Sequence, residues 1–346
     1  MSRCRLASIR VTLIFATVLV LSAYLDLVFA ASLDQGTSPT GRRPNVVTIN
    51  LTVQTNDGGA ISDLRPADLE VEADGKPQTI SSLTFTAGGT AKSAPLVILF
   101  DLLNLDPLSR EQVRSELSRV LPKVQDPAHI YLYLIKKDGA IYPVHAIPAP
   151  ATETRLSTDD WPMHSAEIIQ KSLTEANEAL PFQMRESSFR IDSTFAALKN
   201  IGDLLAPIPG RKAMVWISHG VRADQLAEKV STELDRENIA VYTVQQMSQP
   251  ALAPEASDSL SDVSKWTCGL PYQDGNIQQA IAQARRDAES SYSLEFTAAN
   301  KSSDGKFHKV RVSSQRPEVR VRSETGYWGF GPFSSTPVAG SPGLQR

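Results

Sequence analysis

The chain has 346 residues, 41% of them hydrophobic and 21% charged, and a net charge of −3. That is enough chain for two ordinary domains and an apolar content that can build a core. The charge gives no argument for nucleic acid or an anionic membrane, both of which need a concentrated basic surface.

Arg3, Arg5 and Arg10 precede an almost wholly apolar run over 11–25, with small residues at Ala30 and Ala31. This is the layout of a secretory signal peptide, residues 1–30, with Val28 and Ala30 at the −3 and −1 places and cleavage after Ala30. Asp26 cuts the run below the ~20 residues that span a bilayer, although an uncleaved copy would act as a signal anchor. No cysteine follows the cleavage point to take a lipid. Of the two cysteines, Cys4 belongs to this leader, so Cys268 has no partner for an internal disulfide and is expected to be a small buried hydrophobe. Residues 31–44 are polar, with Gly and Pro, and read as a flexible linker.

Residues 46–53 alternate and are β-branched, which predicts a strand. Strands are also expected at 69–73 and 78–86, joined by a hairpin turn at Asp74-Gly75. So few short strands are marginal alone and need a partner sheet. After a linker at 88–93, five apolar residues, Leu96 to Phe100, run straight into Asp101. An unbroken run of that length predicts a strand buried on both faces. Asp106 then caps a helix with Pro107 at its first position, and Val113, Leu117, Val120, Leu121 and Val124 line one face. Strands at 130–135 and 141–147 follow, then a loop over 149–163. Helices are predicted at 166–180 and 193–205, a buried strand at 213–217, a helix at 223–237 and a strand at 239–244. Residues 249–264, rich in Pro, Ser and Ala, read as a mobile excursion. A helix at 277–288 closes the alternation.

Alternating strands and helices from 94 to 289 predict an α/β domain with a doubly wound, mostly parallel sheet. Three more strands are expected at 291–296, 307–313 and 319–322. The terminal segments, 45–90 and 290–328, each lack cover for one sheet face, so they are expected to form one small β-sandwich in which the α/β domain is inserted, with Val71 and Val310 in its core. The Lys and Arg residues that alternate with Val in the last two strands are expected to face water. Residues 329–346 read as a disordered tail.

The strand ending in Asp101, together with LEVEADGKPQ at 69–78, PGRKAMVWISHG at 209–220, IAVYTV at 239–244 and VRVRSETGY at 319–327, resembles the von Willebrand factor type A-related secreted proteins of the Acidobacteria. The resemblance implies a type A-like (vWA-like) fold. Metal-binding members of that family hold a divalent cation with Asp-x-Ser-x-Ser, a Thr and a further Asp. Here Asp101 matches the first Asp, Leu103 and Leu105 stand where the two serines belong, Thr194 or Ser193 takes the place of the Thr, and His219 that of the last Asp. No bound cofactor is therefore expected. The alternative is Mg²⁺ or another divalent cation in a shifted register of Asp101, Asn104, Asp106, Thr194 and His219.

No G-x-S-x-G, Cys-x-x-Cys or Walker loop occurs. Ser218 and His219 are adjacent at a strand end and point to different sides, so they cannot pair as nucleophile and base. The expected function is a non-enzymatic, secreted or periplasmic protein-interaction or adhesion module. It would bind a protein or cell-envelope partner through the edge loops 101–107, 185–194 and 218–224, with Asp101, Asn104, Asp106, Thr194, Ser218 and His219 as candidate contacts. The alternatives are an exported hydrolase using the same crevice and a purely structural envelope protein.

Overall fold

The computed structural model describes residues 46–85, 94–124, 129–148, 161–176, 187–221, 224–246, 254–298 and 304–329. The expected signal peptide, the linkers at 31–44 and 88–93, most of the 149–163 loop and the tail beyond Gly329 lie outside these residues. Among the described residues no helix is long and apolar enough to cross a membrane.

The central sheet has six strands, β5 (Leu96–Asp101), β6 (Ile130–Ile135), β7 (Ile141–His145), β8 (Lys212–Ser218), β9 (Ile239–Gln245) and β10 (Pro271–Tyr272), in the order β10-β9-β8-β5-β6-β7. All neighbours run parallel except β7, which returns antiparallel to β6 through the Asp138-Gly139 turn. Every residue of β5 is buried, because helices cover both sheet faces. Leu96, Ile98 and Phe100 join one core with α1 (Pro107–Val120), α2 (Trp161–Ala176) and α6 (Ile277–Ala288). Val97 and Leu99 join the other with α3 (Ser187–Leu205), α4 (Asp224–Arg236) and α5 (Pro254–Trp266). The chain leaves β5 for β6 on one side and comes back to β8 on the other. The switch point of the sheet therefore lies where Asp101 and Ser218 end their strands.

The helix boundaries correct the sequence reading at three places. α2 starts at Trp161, inside the expected loop, and α3 starts six residues before Ser193, so 187–194 is helix and not loop. The stretch expected as a mobile excursion forms α5 from Pro254. Pro at a first helical position is pre-set for the turn, and Leu260 and Val263, three apart, bury on one face.

The remaining strands form two four-stranded antiparallel sheets. One contains β13 (Val319–Ser323), β1 (Val46–Thr55), β11 (Ser291–Thr297) and β4 (Ile80–Phe85), and the other β14 (Gly326–Trp328), β12 (Phe307–Ser314), β2 (Leu69–Ala73) and β3 (Lys76–Gln78). They share one core in which Val71 and Val310 both lie. The sandwich with an inserted α/β domain is thus as expected. The expected strand 78–86 is split at Thr79, because β3 closes the hairpin with β2 while β4 crosses to pair with β11 in the opposite sheet. Asp74 and Gly75, at φ 50° and 73°, form the left-handed two-residue turn of that hairpin.

One face of β1 belongs to the sandwich core and the other is covered by the α/β domain. Asn50 donates to Asp235 of α4 at 3.1 Å, and Thr52 Oγ1 lies 3.7 Å from the sulfur of Cys268. Cys268 is fully buried, as the sequence implies. Arg322 departs from the expectation that the charged residues of the last strands face water. Its guanidinium enters this seam and pairs with Asp287 of α6, which is 1% exposed.

The seam also holds two facing carboxyls, Glu324, at 1% exposure, and Asp235. Burial first, and the Asp235 charge second, push Glu324 well above the carboxylate range. The pair therefore keeps one proton, which sits on Glu324 while Asn50 and Arg211 face Asp235. A carboxyl whose folded pKa is raised contributes stability that is complete below the unfolded value of about 4.3 and is lost as pH rises towards the folded value, at about 1.4 kcal/mol per pH unit. Glu324→Gln keeps a donor towards Asp235 and has nothing to titrate. Denaturation at pH 5 and pH 8 should show the variant gaining on the native chain as pH rises. A constant difference between the two proteins would refute the shared proton.

Candidate functional site

The carboxyl edge of the sheet is built from the ends of β5 and β8 and the first turns of α1 and α3. Asp101 is completely buried there. Its Oδ1 accepts the Asn104 backbone N–H at 3.0 Å, and its Oδ2 accepts Asn104 Nδ2 at 2.7 Å, Ser218 Oγ at 2.7 Å and Trp216 Nε1 at 3.3 Å. Burial raises the Asp101 pKa, and these hydrogen bonds pull against it. Asn104 Nδ2 also donates to Thr194 Oγ1 at 2.7 Å, while Asn104 Oδ1 accepts Arg190 Nε at 3.1 Å. Arginine has no acceptor, so the guanidinium sets which end of the Asn104 amide is oxygen.

A second cluster lies beside the first. Asp106 caps α1 by accepting Leu108 N at 2.9 Å and Ser109 N at 3.0 Å, as its place before Pro107 predicts. Ser109 Oγ donates to Asp106 Oδ2 at 2.7 Å and lies 3.1 Å from His219 Nε2. Burial holds the His219 imidazole below its ordinary value, against the pull of Asp106, the Gln246 backbone and Asp101. Serine, histidine and aspartate are thus close together, but not as a catalytic triad. A triad needs the carboxylate on the far nitrogen of the imidazole, whereas here both groups converge on one serine oxygen, and that serine is fully buried.

The candidate residues therefore divide. Asp101, Asn104, Thr194 and Ser218 form one hydrogen-bonded network, and Asp106 and His219 meet in the other. The donor set does not fit a divalent cation. Leu103 and Leu105, at the serine places, are 3% and 2% exposed and turn away into opposite cores. The line between Asp101 and Thr194 is already spanned by the Asn104 amide nitrogen, both of whose hydrogens are used. Asn104, considered above as an oxygen ligand, thus presents its nitrogen to both partners. Among the described residues no group of three or more His, Cys, Asp or Glu side chains could hold a metal ion.

Four participants were not singled out in the sequence reading, Trp216, Ser109, Arg110 and Arg190, although Arg190 lies within the expected edge loop 185–194. Trp216 is two residues before Ser218 and so shares its strand face. Ser109 and Arg110 follow Asp106 by three and four, and Arg190 precedes Thr194 by four, which is helix-face spacing. Starting α3 at Ser193 hid the last of these. Arg110 is 6% exposed, and burial lowers its pKa against the pull of the Asp101 and Asp106 charges.

No protein-family profile matches the chain, and no curated protein matches it. Several solved structures resemble it distantly. The von Willebrand factor type A from Catenulispora acidiphila aligns over 82% of this chain and 72% of its own, at 8% identity and a TM-score of 0.39. The conserved hypothetical protein BatB from Bacteroides thetaiotaomicron aligns over 56% of this chain and 98% of its own, at 13% identity and a TM-score of 0.38. The human COPII-coat protein Sec24c aligns over 68% of this chain, which spans only 43% of its length, at 11% identity and a TM-score of 0.35. At these identities and scores the similarity assigns neither family, ligand nor activity.

Proposed function

We propose that this chain is an exported, non-enzymatic protein-interaction module that binds its partner at the carboxyl edge of the α/β sheet without a bound cation. One observation carries the reading. At the switch point of the sheet, the side chains that could have served metal or nucleophilic chemistry are hydrogen-bonded to one another, which leaves a rigid polar floor and an exposed rim. Leu108, on the first turn of α1, is 59% exposed on that rim. An exposed apolar residue beside fixed polar groups suits contact with another protein. Export rests on the basic, apolar and small-residue sequence of positions 1–31, and adhesion at the cell envelope on the sequence resemblance to secreted proteins.

Photo-cross-linking tests the reading. A benzophenone side chain is placed at Leu108, and as a control at Leu204, which is 46% exposed at the opposite end of α3. The full chain is expressed in its own cells. A discrete adduct is expected from position 108 and not from 204, undiminished by EDTA, and N-terminal sequencing of the adducted chain should begin at Ala31. Equal labelling from both positions would remove the case for the edge, and an intact Met1 would replace export and cleavage by anchoring.

A further inference from the structure

We propose that Arg190 binds, at this edge, a carboxylate side chain of an acidic segment on the partner protein. The proposal rests on the reading of the edge as a protein-binding surface and names the chemistry that the surface recognises.

Three features carry it. Arg190 is half-buried on the first turn of α3 and is held along one side only, by Nε to Asn104 Oδ1 at 3.1 Å and Nη2 to the Asn104 carbonyl at 3.5 Å. Among the described residues its guanidinium has no carboxylate partner, and Nη1 makes no hydrogen bond. A guanidinium has five N–H donors in a planar fork, so holding the Nε side leaves the Nη1–Nη2 end for a two-point contact with a carboxylate. The neighbouring anions are also committed. Asp101 is engaged by four donors, and Asp106 by two backbone N–H groups and Ser109. Neither can swing out to neutralise Arg190 without abandoning buried or capping hydrogen bonds, which is costly. Finally, the guanidinium is pre-organised. The Asn104 amide that grips it is locked from behind by Asp101 and Thr194, so little ordering entropy remains to be lost on binding. The Asn104 amide thus joins the two oxygens that a cation would have joined, and presents an arginine in its stead.

The test uses the full mature chain and a displayed library of random decapeptides, selected in EDTA. The enriched peptides are expected to carry Asp or Glu next to an apolar residue that meets the rim at Leu108. For a synthetic copy of the best peptide, Arg190→Gln should weaken binding about tenfold or more, the size of one charge-assisted contact of about 1.4 kcal/mol. Arg190→Lys should retain part of the affinity. Leu108→Asp, at an exposed position that cannot upset the core, should weaken it as well by adding negative charge to the rim. Replacing EDTA by Mg²⁺ should change nothing. Peptides that are lost on Leu108→Asp yet are not acidic and ignore Arg190→Gln would overturn this inference and leave the edge as a binding surface. A requirement for Mg²⁺ would also overturn it. Peptides indifferent to both substitutions, or no selected peptide at all, would overturn the inference and the binding edge together.

Discussion

Asp287→Ala is expected to lower the stability of the folded chain by about 3–5 kcal/mol, the usual effect of removing one partner from a buried ion pair. Asp287 is the junction of the seam between sandwich and α/β domain. Its Oδ2 accepts Tyr242 Oη at 2.6 Å and pairs with Arg322, and its Oδ1 accepts Gln54 Nε2 at 2.9 Å and Gln283 Nε2 at 2.7 Å. The donors come from β1, β9, β13 and α6, so one carboxylate joins three separate parts of the chain. Burial first, then the Asp287 charge, holds the Tyr242 phenol far above its ordinary value and keeps it a donor. Alanine would leave the Arg322 charge and three further donors without the carboxylate they share. The double variant Asp287→Leu with Arg322→Met removes both charges and should recover much of the loss, since well-packed apolar replacements of such pairs are often neutral. Urea denaturation of the single and double variants reads both effects. A single variant that loses less than about 1 kcal/mol would show that the pair is solvated like a surface one.

Gly269→Ala is expected to prevent folding or to cost more than about 4 kcal/mol, at the far end of single-substitution effects. Gly269 follows Cys268, which holds a left-handed φ of 57°, at the turn where the chain leaves α5. A β-carbon at 269 would stand 1.8 Å from the carbonyl oxygen of Val241 and 2.5 Å from its carbon. Val241 lies inside β9, whose backbone is tied to β8 on its other side and cannot retreat without breaking the sheet. The contrast is Gly202→Ala within α3, where the new carbon meets only Leu234 Cδ2 at 3.4 Å. Alanine is favoured over glycine in a helix by about 1 kcal/mol, so that variant should be neutral or slightly stabilised. Thermal melts of the two variants should therefore diverge. Similar melting temperatures would mean that the Gly269 turn can open.

The site was legible in the sequence only as far as its strand ends. Asp101 is marked by the apolar run before it, Ser218 by the end of the buried strand expected at 213–217, and Asp106 by the proline that follows. Each of these signals is local. The role of Asn104 was not legible, because an amide can present either oxygen or nitrogen and the choice depends on Arg190, 86 positions away. Arg190 itself has no motif. It acquires meaning only because α3 begins early enough to place it one turn before Thr194.

The same division runs through the whole fold. Local pattern by itself determined the doubly covered central strand, the capped start of α1, the left-handed hairpin turn at Asp74-Gly75 and the pairing of terminal segments that could not cover their own faces. Those features follow from which residues are apolar and how they are spaced, and spacing is a property of the chain alone. Only the tertiary structure decided that β1 is buried on both sides, that the strand expected at 78–86 divides between two sheets, that 254–266 is helix and that Arg322 leaves the solvent face for Asp287. A polar residue on the outer face of a strand reads the same whether water or another domain lies beyond it. The partner surface supplies the difference, by replacing water's hydrogen bonds with fixed ones of its own.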